Sequence, residues 1–142
     1  MNPKSLIVFV DGGARGNPGP AAVGIVIHGG KPKPVEIKKF IGRATNNVAE
    51  YTAVLLSLEF IFKKFLIEKV EFKLDSELVV RQLNGQYKVK DSKLKLLYAK
   101  IRELIWGKTV SFSHVKREKN ARADYLVNEA LDEALERPEK LD

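Results

Sequence analysis

The stretch Leu6–Pro20 reads LIVFVDGGARGNPGP. Five apolar residues run straight into an acid, Asp11, and the chain then turns on glycine and proline. A continuous β-branched and aromatic run suits a strand buried on both faces, so Ser5–Val10 is expected to be a central strand that Asp11 ends. Burial alone does not favour a charge there. Function does, because ligands in open α/β sheets gather beyond the carboxyl ends of the parallel strands. The segment GARGNPG is no phosphate loop, since no Gly-Lys-Ser/Thr follows and the next element is a strand. It reads as a hairpin connection in which glycine supplies positive φ and Asn17-Pro18-Gly19 the turn.

Working outward, Ala21–His28 is the second strand and PVEIKKFIG (34–42) the third, antiparallel to it. Thr45–Phe65 reads as a long helix capped by Thr45 or Asn46. Tyr51, Val54, Leu55, Leu58, Ile61, Phe62 and Phe65 share one of its faces, while Leu56 and Phe60 fall elsewhere, so more than one side should be covered. KVEFKLD (69–75) is a fourth strand, SELVVRQLNG (76–85) a short helix stopped by Gly85, and Asp91–Gly107 a helix capped by Asp91 or Ser92. TVSFSHV (109–115) is a fifth strand. Asn120–Arg137 is the last helix, with Asn120 as its cap and Pro138 past its end. The order βββαβααβα predicts one five-stranded mixed α/β sheet, the first three strands antiparallel and the later ones parallel through right-handed crossovers.

The chain has 142 residues, with Lys and Arg outnumbering Asp and Glu by 25 to 18 for a net charge of +7. That length suggests a single domain spanning 1–142, and the charge favours a polyanion partner. No cysteine is present, which excludes disulfides and thiolate metal sites and fits a reducing compartment. No run approaches the roughly 18 apolar residues of a membrane span. The Leu6–Val10 run is too short for a signal peptide. The expectation is a soluble, cytoplasmic protein with no membrane association.

Asp11 and Asp75 fall at the carboxyl ends of the first and fourth strands and face each other if those strands are neighbours. Glu50 lies on the edge of the buried stripe of the long helix. Asp124 lies in the first turns of the last helix, where the helix dipole favours negative charge. Any one of these could be a turn or cap residue. Four converging carboxylates would repel one another and take up protons unless a cation compensates. A hard, all-oxygen set suits two Mg²⁺ ions, with Mn²⁺ as a substitute.

At these residues the sequence resembles type 1 ribonuclease H. VDGGARGNPGPAAVG is similar to that family's opening strand and hairpin, TNNVAE to its first-helix motif, LDSELVVRQLNG to its second acid segment, and NARADYLVNEAL to its last helix. The resemblance implies the ribonuclease H-like fold and metal-dependent endonucleolytic cutting of the RNA strand of an RNA–DNA hybrid. Water would attack in line at phosphorus, leaving 5′-phosphate and 3′-hydroxyl ends. It assigns Asp11, Glu50, Asp75 and Asp124 to metal binding and catalysis. It sets Asn17, Asn46 and the backbone near Gly12 along the minor groove, where the ribose 2′-hydroxyl distinguishes RNA from DNA. Arg43 and Thr45 match positions that meet DNA phosphates, and Asn47 supports the groove contact. The alternative is a non-catalytic hybrid- or RNA-binding module of the same fold.

The chain departs from the family pattern in three places. HVKREKNARAD (114–124) joins the fifth strand to the last helix without the His-bearing loop of many members, so His114 is expected to be a strand residue. Arg117 is expected to substitute in part for the missing His at the scissile phosphate. The basic handle helix is absent, and Lys88, Lys90, Lys93 and Lys95 could supply some of its charge. Glu77 stands where Gln is common and is expected to be a surface residue, as is His28. Short members lacking the loop suggest double-stranded RNA as a second substrate. No additional hybrid-binding segment or partner motif is visible, RPEKLD (137–142) reads as a disordered tail, and the protein is expected to act as a monomer.

Overall fold

The computed structural model describes residues 5–136. Strands β1 (Ser5–Ala14), β2 (Gly19–His28) and β3 (Val35–Ala44) are followed by helix α1 (Asn46–Lys64), strand β4 (Lys69–Leu74), helices α2 (Glu77–Leu83) and α3 (Ser92–Ile105), strand β5 (Thr109–His114) and helix α4 (Ala121–Leu135). The tail 137–142, the Arg137 end expected for α4 and Pro138 lie outside the described residues. The sheet order is β3-β2-β1-β4-β5. β1 pairs antiparallel with β2 and parallel with β4, and β4 pairs parallel with β5. Among the described residues no helix is long and apolar enough to cross a membrane.

The alternation along β1 decides the layers. Leu6, Val8 and Val10 point into the larger core with Val23, Ile25 and Ile27 of β2 and the buried faces of α1, α2 and α3. Phe9, Val26, Ala22 and α4 residues Ala123, Leu126, Val127 and Leu131 form two small clusters on the opposite face. Burial of apolar surface yields about 25 cal/mol per Å² and accounts for Leu6, Val8, Val10 and in part Phe9, but the expectation of burial on both faces fails at Ile7, which is exposed. On α1, Leu56 and Phe60 also pack against the larger core, so that helix is covered on more than one side, as expected.

One expectation needs correcting. β1 does not end at Asp11. Its antiparallel ladder with β2 continues to Ala14↔Ala21, closing with Arg15 N donating to Pro20 O at 2.8 Å. The parallel ladder with β4, by contrast, stops at Phe9↔Lys73. Asp11 therefore lies on a strand still zipped on one side and already open on the other. The small residues of the glycine-rich stretch prolong the strand rather than break it, because pairing with β2 supplies the backbone partners that a turn would otherwise have to find.

Capping follows the sequence at α1 and α3, while α2 is capped by Ser76, a cap not assigned from the sequence. Thr45 Oγ1 accepts from Val48 N at 3.1 Å, Ser76 Oγ from Val79 N at 3.3 Å, and Asp91 Oδ2 from Leu94 N at 3.0 Å. Asn120 is the exception. A 3₁₀ turn, Arg117–Asn120, precedes α4, and the Asn120 side chain makes no capping bond. It is drawn instead into the sheet.

Candidate active site

Two glycines let the helices approach the middle of the sheet. A β-carbon on Gly12 would lie 2.3 Å from the Ala49 carbonyl and 2.5 Å from Glu50 N, so only glycine admits the first turns of α1 here. Gly24, the β2 partner of Asp11, meets α4 in the same way, with a β-carbon 2.2 Å from Ala123 O. α1 thus brings Glu50, and α4 brings Asp124, to the open side of β1 at Asp11.

There Asp11, Glu50 and Asp75 offer carboxylate oxygens that all lie within 4.8 Å of one another. Asp11 is 8 % exposed and Glu50 6 %. Asp75 is half-buried, just past the end of β4. Asp124 stands outside this tight cluster but lines the same cavity of about 320 Å³, with Gly12, Arg15, Asn46, Arg117 and Asn128 also contributing. Gly12 N donates to Asp11 Oδ1 at 3.0 Å. Arg117, largely exposed, has its guanidinium 4.0 Å from Asp124 Oδ1.

The electrostatics follow from this crowding. Burial, then the charges of Asp75 and Asp124 and a hydrogen bond to Asp124, raise the Asp11 pKa from its ordinary 3.8 to about 8. Burial, reinforced by Asp11 and Asp75, pushes Glu50 well above the usual carboxylate range. Glu50 Oε1 is buried without any hydrogen-bond partner. An orphaned carboxylate oxygen facing two other acids is a ligand set suited to a hard divalent cation, so the residues fit such an ion.

The predicted substrate residues separate into two groups. Asn46 lines the cavity and is tied back to it, its Oδ1 accepting from Ala14 N at 2.8 Å while its own N donates to Asn17 Oδ1 at 2.9 Å. Asn17 thus reaches the site through Asn46. Thr45 serves as the α1 cap, Asn47 is half-buried beside it, and Arg43 is exposed on β3. None of these three lines the cavity. His28 and His114 are exposed strand ends, and Glu77 is an exposed helix residue paired with Arg81 at 2.8 Å, as expected. Sequence reasoning missed three residues at the site. Arg15 donates to Asn128 Oδ1 at 3.3 Å and pairs with Asp132 at 2.8 Å, fastening the hairpin to α4. Asn120 donates to Val10 O at 2.8 Å and to Asp75 Oδ2 at 3.2 Å. Spacing could have pointed to Asn128, one turn after Asp124 on α4, but nothing in the sequence pointed to the contacts of Asn120.

A β3-β2-β1-β4-β5 sheet with an acid cluster at the open side of β1 defines a ribonuclease H-like α/β protein able to hold a divalent ion. The family model described as reverse transcriptase-like matches residues 9–130. A ribonuclease HI of Halobacterium salinarum is 46 % identical over 128 residues, 89 % of this chain and 64 % of that protein. A bifunctional protein of Mycobacterium tuberculosis is 40 % identical over 132 residues, 91 % of this chain, but the chain spans only 36 % of it. Among solved structures, LC11-RNase H1 in complex with an RNA/DNA hybrid superposes with a TM-score of 0.85 at 48 % identity, covering 92 % of this chain and 99 % of that one. The chain belongs to the type 1 ribonuclease H family.

Proposed function

We propose that the chain is a single catalytic unit that hydrolyses the RNA strand of RNA–DNA hybrids endonucleolytically, using divalent ions held by Asp11, Glu50, Asp75 and Asp124. The observation that carries this is the set of three carboxylates, two of them buried, with ligand atoms within 4.8 Å of one another. The likeness to a protein solved with an RNA/DNA hybrid supports the substrate class. The net charge of +7 suits a polyanion, and Mg²⁺ is the expected ion, with Mn²⁺ as a substitute.

Bound at these carboxylates, divalent ions would activate water and offset the charge that builds on the phosphodiester. The chain's own contribution is positional. β1 fixes Asp11 within a paired strand, and Gly12 N orients its Oδ1. α1 holds Glu50 in a buried setting where electrostatic interactions are stronger than in water. Asn46 and Asn17, locked to each other, are the expected reporters of the ribose 2′-hydroxyl along the minor groove beside Gly12, with Asn47 in support. Arg43 and Thr45 would meet the DNA-strand phosphates, and Arg117 the scissile phosphate. Double-stranded RNA is a second expected substrate. The protein is expected to work as a monomer in the cytoplasm.

The test is cleavage of labelled RNA–DNA hybrid, RNA duplex and DNA duplex with Mg²⁺, Mn²⁺ or chelator. Metal-dependent cutting of the hybrid that disappears in Asp75→Asn supports the proposal. Tight hybrid binding without cutting would show a binding module instead, and cutting of DNA alone would reject the substrate.

A further inference from the structure

We infer that Asn120 is a positioning residue that sets the spacing between β1 and Asp75, and so the geometry of the acid cluster; this rests on the metal-binding reading proposed above. The β1–β4 ladder ends at Phe9↔Lys73, and the chain leaves β4 at Leu74. The next backbone acceptor on β1, the Val10 carbonyl, is met by the Asn120 amide at 2.8 Å. The same Nδ2 donates to Asp75 Oδ2 at 3.2 Å. One nitrogen therefore stands in for the missing rung and ties it to a carboxylate of the cluster.

Three observations favour positioning over mere filling of space. Asn120 is 1 % exposed, so its two hydrogen bonds are shielded from water. Its Oδ1 is buried without a partner. An amide that leaves its acceptor unused is oriented by what its donor must reach. Reversing the amide would set its oxygen against the Val10 carbonyl oxygen and Asp75 Oδ2 and leave both without the donor they now share. Asn120 also lies one helical turn before Asp124, so the 3₁₀ turn and the start of α4 couple two of the acids through one residue.

Groups that orient metal ligands typically change ion affinity by about 10–100-fold when removed. The test is titration of the full chain with Mn²⁺ by calorimetry and electron paramagnetic resonance, with cleavage kinetics alongside. Asn120→Ala is expected to weaken Mn²⁺ binding at least about tenfold. It should lower kcat at low ion concentration, leave KM for the hybrid unchanged and recover partly at high ion concentration. Lys38→Ala, which removes ion pairs from β3 to Glu129 and Glu133 of α4, loosens the same helix and should leave Mn²⁺ affinity at the wild-type value. Unchanged Mn²⁺ affinity in Asn120→Ala overturns the inference, as does an equal loss in Lys38→Ala. If Asn120→Ala fails to fold by circular dichroism, Asn120→Ser carries the same two readouts, and wild-type affinity there overturns it equally. If the wild-type chain binds Mn²⁺ no better than Asp75→Asn, the metal-binding reading itself fails.

Discussion

Gly12 and Ala49 meet backbone to backbone: a β-carbon on Gly12 would stand 2.3 Å from both the carbonyl carbon and the oxygen of Ala49. This contact brings Glu50 within reach of Asp11. Gly12→Ala must push α1 away from β1, and overpacking of this kind costs roughly 1–3 kcal/mol or more. The expected outcome is a clear fall in Tm and a loss of activity larger than the fall in stability explains, because Glu50 moves with the helix. Denaturant melts and kcat measured on the same preparations check it; a Gly12→Ala protein with wild-type Tm would contradict the contact.

Asp11 gives a pH prediction. Its folded-state pKa is about 8 against an ordinary 3.8. Between those values the folded protein keeps a proton that the unfolded chain gives up. Stability linked to this group is thus fully present below about pH 4 and is lost as the pH rises towards about 8. In chelator, the wild-type Tm is expected to fall across that window. Asp11→Asn, which cannot ionise, flattens the profile and lies above wild type at pH 8. Added Mg²⁺ should raise the Tm of wild type, since an ion that binds only the folded state stabilises it by mass action, and should raise that of the variant less. Parallel profiles for the two proteins in chelator would refute the assignment.

Two side chains hold the hairpin against α1: Asn17 Oδ1 accepts from the Asn46 backbone N at 2.9 Å, and Asn46 Oδ1 accepts from Ala14 N at 2.8 Å. Either alanine variant should lose about 1 kcal/mol of stability. Steady-state kinetics should show KM for the hybrid rising several-fold with a smaller change in kcat. A change confined to kcat would count against a substrate-binding role.

Arg117 is the cation of the cavity nearest Asp124. Its exposure means that solvent screens it, so Arg117→Ala should slow cleavage by roughly tenfold, less than the ~10²–10³ typical of buried oxyanion donors. Cleavage at the wild-type rate would remove Arg117 from the reaction.

How far the sequence carried these conclusions depended on the kind of signal. Apolar patterning, caps and turn residues located the five strands and four α-helices of the described residues, but not the 3₁₀ turn Arg117–Asn120. Asp11 and Asp75 were legible as acids at the ends of apolar strands, and Glu50 as an acid on the edge of a buried helical stripe. The continuation of β1 to Ala14 was not, since Gly12, Gly13 and Ala14 carry no β-propensity and are held by pairing with β2, a tertiary effect. Nor was the work of Asn120, whose position before an apolar helix reads as a cap. Only its nearness in space to Val10 and Asp75, 110 and 45 residues away, reveals otherwise.

The unequal lengths of the two ladders flanking β1 have a consequence for access. Between Phe9 and Ala14 the strand is clamped by β2 along one edge, while along the other no strand pairs with it and side chains, Asn120 at Val10 O and Asn46 at Ala14 N, take the backbone groups. A nuclease needs its acids stiff enough to keep a fixed spacing yet approachable by a bulky helical polymer. Here a single segment draws stiffness from its pairing with β2 and leaves its other flank to the acid-lined cavity.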